Sequence, residues 1–232
     1  MANSLPAAVL LDFDGTLVDT EPYWMQGEVE LLAAHGVPWG IEQASRLCGT
    51  SREYSQAVLT AQMAAYGVDV ATIDDDEFYQ QLCDRVIACI NEQGAPWLPG
   101  VQALLDDLLA NGVPCAVVSA SPRCVLDAGL AQFPAGVISV VVDGQMTAQG
   151  KPEPDPYLLA AKLLGVDVRD CVVIEDTVSG TAAGRAAGAV VVAVPGQHDV
   201  ERAPGQVVLK DLVGVSAARL GELFNQVRKQ MA

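Results

Sequence analysis

Two carboxylates one residue apart, Asp12 and Asp14, are followed by Gly15, Thr16 and a third acid, Asp19. They end an apolar run over residues 7–11 that is rich enough in Val and Leu to form a fully buried strand. Residues i and i+2 of an extended chain share a face, so such a strand delivers both carboxylates to one mouth. Two anions held together away from water are unfavourable unless a cation neutralises them or one keeps its proton. The first outcome is a divalent-metal site, and the second is a general acid beside a nucleophile. An isolated Asp-Gly is also an ordinary turn signal, because Asp tolerates turn geometry and Gly supplies positive φ. The two readings separate on whether other polar residues arrive at the same place.

The elements that would bring them there follow in order. From residue 97 the chain alternates. A helix opened by Pro99-Gly100 and closed by Asn111-Gly112 leads to a strand over 114–118 that ends in Ser119-Ala120-Ser121. A strand over 137–142 ends at Asp143-Gly144, a helix covers 156–165, and a strand over 171–174 ends in Glu175-Asp176. An Ala-rich helix over 182–188, a strand over 189–194 and a terminal helix over 220–230 complete the series. This pattern predicts an α/β fold, a doubly wound, Rossmann-like parallel sheet covered on both faces with right-handed crossovers. Ligands of such sheets lie beyond the carboxyl ends of the strands. Polar residues stand there four times, at Asp12/Asp14, Ser119, Asp143 and Glu175/Asp176. A turn signal does not account for that repetition.

Between residues 19 and 95 the periodicity is helical throughout and no strand is expected. Thr20-Glu21-Pro22 offers a capping hydroxyl, an early acid and a first-turn proline for a helix that ends near His35-Gly36. A second helix is expected from Ser51 to about Gly67. A third is expected after Ile73-Asp74, with three aspartates at its positive end. The predicted organisation is a core of residues 1–18 and 96–232 with a helical cap over 19–95, hinged near 16–20 and 94–99.

The totals narrow the possibilities. With 232 residues, 51% hydrophobic and 18% charged, the chain can bury a large core. A formal charge of −16 opposes binding to nucleic acid or an anionic membrane. An anionic substrate would therefore need a metal and a few local cations. No stretch is long enough to span a membrane, and the first apolar run is the strand carrying Asp12, with no basic leader. Cys48, Cys83, Cys89, Cys115, Cys124 and Cys171 form no Cys-x-x-Cys pair, as expected of free thiols in a reducing cytoplasm. A cytoplasmic monomer or weak dimer is expected.

Four motifs together resemble those of the haloacid dehalogenase-like hydrolase superfamily. DFDGTLVDT is similar to the first; VVSAS, with Ser119, to the second; Lys151 of GKPEPD to the third; VIEDTVSG, with Glu175 and Asp176, to the fourth. The insert resembles the helical cap of the β-phosphoglucomutase-like branch, which also contains sugar-phosphate phosphatases. The resemblance implies Mg2+-dependent phosphoryl transfer with Asp12 as nucleophile, forming an aspartyl-phosphate. Asp14 would protonate the leaving alkoxide and later deprotonate water, while its backbone carbonyl binds the metal. Asp12, Asp176 and Glu175, the last directly or through a water, would complete the metal set. Ser119 and Lys151 would hold phosphoryl oxygens, helped by backbone N–H groups of residues 13–16, Ala120 and Ser121. Thr16 either assists or braces the loop. Ser119 as a helix cap and Lys151 as a solvated lysine are the plainer alternatives, although Lys-Pro-x-Pro-Asp is a stiff frame for a surface side chain.

The acceptor of the phosphoryl group depends on the cap. The β-phosphoglucomutase pattern has a histidine where Trp24 stands and a cap lysine, whereas no lysine precedes Lys151. DTEPYW is similar to the DTEPLW-type segment of hexose- and hexitol-phosphate phosphatases, which places Trp24 over the substrate. Gly49-Thr50-Ser51-Arg52-Glu53 resembles a mutase loop, and Arg52 is either a cation for the closed site or a surface arginine. Asp143 is read as a turn aspartate, with a role orienting Lys151 or metal-bound water as the alternative. His35 and His198 have no partner suggesting catalysis, and Arg123 either caps a helix or is solvated. The expected activity is a Mg2+-dependent phosphatase acting on a small phosphorylated metabolite, a sugar or polyol phosphate. An intramolecular phosphomutase is the second reading. A non-catalytic binding protein is the third, disfavoured by the presence of Asp12 and Lys151.

Overall fold

The computed structural model describes residues 5–48, 50, 52–196 and 200–231. Six parallel strands form its sheet: β1 (Ala8–Leu11), β2 (Cys115–Val118), β3 (Ile138–Val142), β4 (Cys171–Glu175), β5 (Val190–Ala193) and β6 (Gln206–Val208). Their order is β3-β2-β1-β4-β5-β6. The chain therefore winds outward from β1 in one direction and then from β4 in the other. The reversal between them opens a crevice at the carboxyl ends, where ligands of doubly wound sheets lie. Registers of Leu11 with Val117 and Leu11 with Ile174 align the three central strand ends.

β1, β2, β4 and β5 are built almost wholly of Val, Ala, Leu, Ile and Cys because both of their faces are covered. On one face Val9, Leu11, Val117 and Ile174 pack under helices α5 (Val101–Ala110), α6 (Arg123–Leu130) and α9 (Ala217–Met231). On the other, Leu10, Val118 and Val173 meet Tyr157, Ala160 and Ala183 of α7 (Asp155–Leu164) and α8 (Val178–Ala186).

Between β1 and α5 stand α1 (Glu21–Ala34), the short α2 (Ile41–Ala44), α3 (Arg52–Ala65) and α4 (Asp75–Gln93). This insert has a core of its own around Leu31, Leu32, Leu59, Met63, Phe78 and Leu82. A second cluster, with Tyr23, Cys83, Val86 and Ile90 against Val125, joins α1 and α4 to α6. Where the chain leaves the sheet and returns, Val18 and Trp97 form an antiparallel bridge. Asp19 N donates to Pro96 O at 2.9 Å, and Leu98 N donates to Leu17 O at 3.0 Å.

Local expectations changed in five places. The Thr20 hydroxyl does not cap α1; it donates to Asp14 instead. α8 begins at Val178 rather than Ala182, because Thr177 caps it by accepting from Gly180 N at 3.0 Å. Its glycines look like breakers in sequence, but close packing requires them. α6 and α2 are additional helices, and β6 is an edge strand of three residues, too short to leave a period. Gly49, Ser51 and His198 lie outside the described residues. All six cysteines are free, and among the described residues no helix is long and apolar enough to cross a membrane.

Candidate active site

Asp12 follows β1 directly, its amide donating to Ile174 O at 3.0 Å, so the sheet ladder continues one residue past the strand and fixes the carboxylate. Glu175 ends β4 and Asp176 follows it. One oxygen from each of Asp12, Glu175 and Asp176 lies within 4.8 Å of the others. These acids are 7%, 0% and 6% exposed. Phe13, between the two aspartates, turns the opposite way and packs against Phe133 at 6.1 Å between ring centroids.

Lys151 reaches this cluster from the loop before α7. Its Nζ donates to Asp12 Oδ1 at 2.5 Å, Glu175 Oε1 at 2.6 Å and Val118 O at 2.9 Å. Burial disfavours the ammonium, but the Asp12 and Glu175 carboxylates outweigh it and hold Lys151 protonated. The family resemblance implies a phosphate-binding lysine at this position; the geometry shows its ammonium held between two acids.

Glu175 is more heavily committed than its spacing suggested. Oε1 also accepts from Tyr157 Oη at 3.0 Å. Oε2 accepts from Asp176 N at 3.0 Å, Thr177 N at 3.0 Å and Thr177 Oγ1 at 2.9 Å. Burial works against its charge, yet Lys151 and these donors prevail and hold its pKa below the ordinary carboxylate value. Tyr157 was not anticipated; it reads as one core aromatic in an amphipathic helix, and only the fold brings its hydroxyl to Glu175.

Asp176 accepts from Thr16 Oγ1 at 3.1 Å, so Thr16 braces an acid of the cluster. Burial, then the neighbouring Glu175 charge, lifts the Asp176 pKa to about 7. Burial likewise pushes Asp12 well up, and Glu175 and Asp176 add to it against the pull of Lys151. Carboxylates held this close and this dry, with one lysine among three acids, are of the kind that can hold a hard divalent cation. Gly15 makes the approach possible: at φ +82°, a Cβ there would stand 2.2 Å from Asp176 Oδ2.

Asp14 stands apart from the other acids. Its Oδ1 accepts from Thr20 Oγ1 and its Oδ2 from Ser121 Oγ. Burial raises its pKa, partly opposed by these two hydroxyls. Ser119, also buried, accepts from Ser121 N at 3.0 Å and so shapes the 119–121 loop. Gly144 lets that loop pack closely, since a Cβ there would lie 2.6 Å from Ala120 O. The Ser121 amide is thus occupied, as is that of Gly15, which donates to Val18 O at 2.8 Å. The Asp14 and Ala120 amides have no hydrogen-bond partner among the described residues. Asp143 accepts from Gln145 N at 2.9 Å, as a turn aspartate does.

The insert residues sit differently. Arg52 pairs with Asp76 at 2.5 Å and lies 4.1 Å over the Tyr79 ring, so its contacts are within the insert. Trp24 stacks on Tyr79 with centroids 6.4 Å apart. A groove of about 930 Å³ runs between α3 and the start of α4, lined by Arg52, Gln56, Thr60 and Asp76, and none of the core acids lines it.

Comparison with known proteins agrees with this geometry. Hexitol phosphatase A of Escherichia coli (strain K12) is 34% identical over 195 residues, covering 83% of this chain and 85% of that protein. The bifunctional riboflavin kinase/FMN phosphatase of Arabidopsis thaliana is 32% identical over 203 residues; the match takes in 84% of this chain but only 51% of that protein. A variant of CbbY from Rhodobacter sphaeroides, solved in complex with xylulose-(1,5)bisphosphate, superposes with a TM-score of 0.75 at 26% identity, covering 93% of this chain and 99% of that one. Residues 6–188, from β1 past Glu175 and Asp176 to the end of α8, match the haloacid dehalogenase-like hydrolase family over its whole acid-and-lysine centre. By that match, and by four motifs meeting at the carboxyl ends of β1, β2 and β4, this chain belongs to the haloacid dehalogenase-like hydrolases.

Proposed function

We propose that the protein is a Mg2+-dependent phosphatase of a small phosphorylated metabolite, a sugar or polyol phosphate, working through an aspartyl-phosphate on Asp12. The observation that carries this reading is the convergence of Asp12, Asp176 and Lys151 beside a separately held Asp14. Relatives named as phosphatases of hexitol and FMN support the reaction class. Asp12 Oδ1 is held by Lys151, which leaves Oδ2 to attack phosphorus. As the P–O ester bond breaks, Asp14 gives its proton to the leaving oxygen. A water then attacks the aspartyl-phosphate, losing its proton to Asp14 and regenerating Asp12 with release of phosphate. Lys151 offsets the charge of Asp12 and the phosphoryl oxygens together, and the Asp14 and Ala120 amides are free to bind those oxygens.

Asp12, Asp176 and the Asp14 backbone carbonyl would hold Mg2+, whose charge lets a carboxylate approach a dianionic phosphate. Glu175 would join them only by giving up one of its present donors; its role in this reading is to position Lys151. Residues 19–95 act as the cap, and we read the enzyme as cytoplasmic and as a monomer or weak dimer. The test is phosphate release from a panel of sugar and polyol phosphates, with and without EDTA. Release that depends on Mg2+ and disappears in Asp12→Asn is expected. Isomerised product without free phosphate would replace hydrolysis by a mutase reaction, and turnover by Asp12→Asn would refute the nucleophile.

A further inference from the structure

The anchoring of Lys151 leads to a residue that the chemistry above does not use. An ammonium has three N–H donors, and those of Lys151 are all engaged, by Asp12 Oδ1, Glu175 Oε1 and Val118 O. A phosphoryl oxygen is therefore bound only when one of these acceptors is given up. In the reaction proposed above, Asp12 Oδ2 forms the bond to phosphorus, so Asp12 ceases to be an anion. The phosphoryl group keeps its two charges, and Asp14, having given its proton to the leaving oxygen, takes the third. The Asp12 bond is thus the one whose acceptor weakens as the reaction proceeds, while Glu175 and the Val118 carbonyl are unchanged.

Tyr157 is placed to hold the other two bonds during that exchange. It stands in the first turn of α7, fully buried in the cluster that contains Leu10, Val118 and Val173. Its Oη donates at 3.0 Å to Glu175 Oε1, the same oxygen that Lys151 Nζ reaches at 2.6 Å. Its ring lies under the ammonium, with the centroid 5.3 Å from Nζ, within range of a cation–π attraction. Glu175 Oε2 is fixed separately by Asp176 N, Thr177 N and Thr177 Oγ1. Without the Tyr157 hydroxyl, Oε1 is held by Lys151 alone, and the lysine and its anchor would turn together.

We propose that Tyr157 is a positioning residue for phosphoryl transfer: through Glu175 Oε1 and its own ring face it steadies Lys151 while one N–H passes from Asp12 to the transferring group. The inference rests on the phosphatase reading and deepens it. It assigns the Tyr157 hydroxyl an effect on the chemical step rather than on substrate binding. The reason is that Lys151 completes its exchange only as the bond between Asp12 and phosphorus forms.

The experiment compares wild type with Tyr157→Phe, which keeps the packed ring and removes one oxygen. Phosphate release is measured on the best ester of a panel of hexose and hexitol monophosphates and p-nitrophenyl phosphate. Here kcat should fall about five- to tenfold with KM within about twofold, the effect of one lost hydrogen bond felt in the transition state. In a Glu175→Ala background the same substitution should change kcat by less than about twofold, because the hydroxyl then has no anchor to hold. Rates are referred to the folded fraction, read from thermal melting, so that lost stability is not counted as lost kcat. A kcat for Tyr157→Phe within about twofold of wild type would overturn the assignment. A rise in KM alone would do the same, as would an equal loss in the Glu175→Ala background, which marks a structural role. An active wild type indifferent to the hydroxyl thus overturns this inference alone. A wild type silent on the whole panel would overturn the phosphatase reading, and this inference with it.

Discussion

Replacing Gly180 by alanine adds one methyl carbon, which would stand 1.6 Å from Oε1 and 1.9 Å from Cδ of Glu175. In an ordinary helix the change favours the folded state by ~0.5–1 kcal/mol. Here Glu175 must vacate its place, and its carboxylate gives up bonds to Lys151, Tyr157, Thr177 and the Asp176 amide. Hydrogen bonds to a charged group contribute about 1.5–3 kcal/mol each. Losing the Lys151 anchor alone, at about 3 kcal/mol, corresponds to roughly a 100-fold fall in kcat/KM. The assay is phosphate release by Gly180→Ala, Glu175→Ala and the double variant. If Gly180 acts through Glu175, the double variant should be no worse than Glu175→Ala. Activity of Gly180→Ala within threefold of wild type, or additive losses in the cycle, would refute the reasoning.

Two other outcomes follow from the electrostatics. Glu28 is 5% exposed and accepts from Trp39 Nε1 at 3.2 Å; burial lifts its pKa from 4.5 to about 7. The folded state thus holds this proton more tightly than the unfolded chain, so the contribution of Glu28 to stability is greatest below about pH 4.5 and declines as pH rises toward 7. Glu28→Gln should remove that decline and add roughly 2–3 kcal/mol above pH 7, read by urea denaturation across pH; an unchanged pH profile would contradict it. Mg2+ should stabilise wild type by about 2.7 kcal/mol at a hundredfold excess over Kd, read as a higher thermal midpoint, and do so less as pH falls below 7 because Asp176 then takes a proton. Asp176→Asn should lose most of this shift; an equal shift in the variant would exclude Asp176 as a ligand.

Much of the centre was legible because strand alternation and chain order are local facts. Asp12, Ser119 and Glu175 each end an apolar run, and parallel strands bring such ends together without further information. Lys151 was legible through its motif, but its two carboxylate partners were not, since pairs 139 and 24 residues apart leave no trace in spacing. Thr20 was misread because a hydroxyl before a helix has a default use, and only the third dimension shows Asp14 as the better acceptor. Gly180 and Gly184 displaced the expected start of α8, because their lack of a side chain answers to packing against Glu175 and Val173 rather than to helix propensity.

The crossing between insert and sheet has a mechanical consequence. Val18 and Asp19 are paired with Trp97 and Pro96, and the very next residue, Thr20, contributes one of the two hydroxyls gripping Asp14. Any swing of the insert about that ribbon drags Thr20 with it and slackens the grip, while Ser121, fixed to the sheet, stays put. In the phosphatase reading proposed above, Asp14 would then be fully seated only with the insert closed over the ester, so that admission and chemistry would share one moving part.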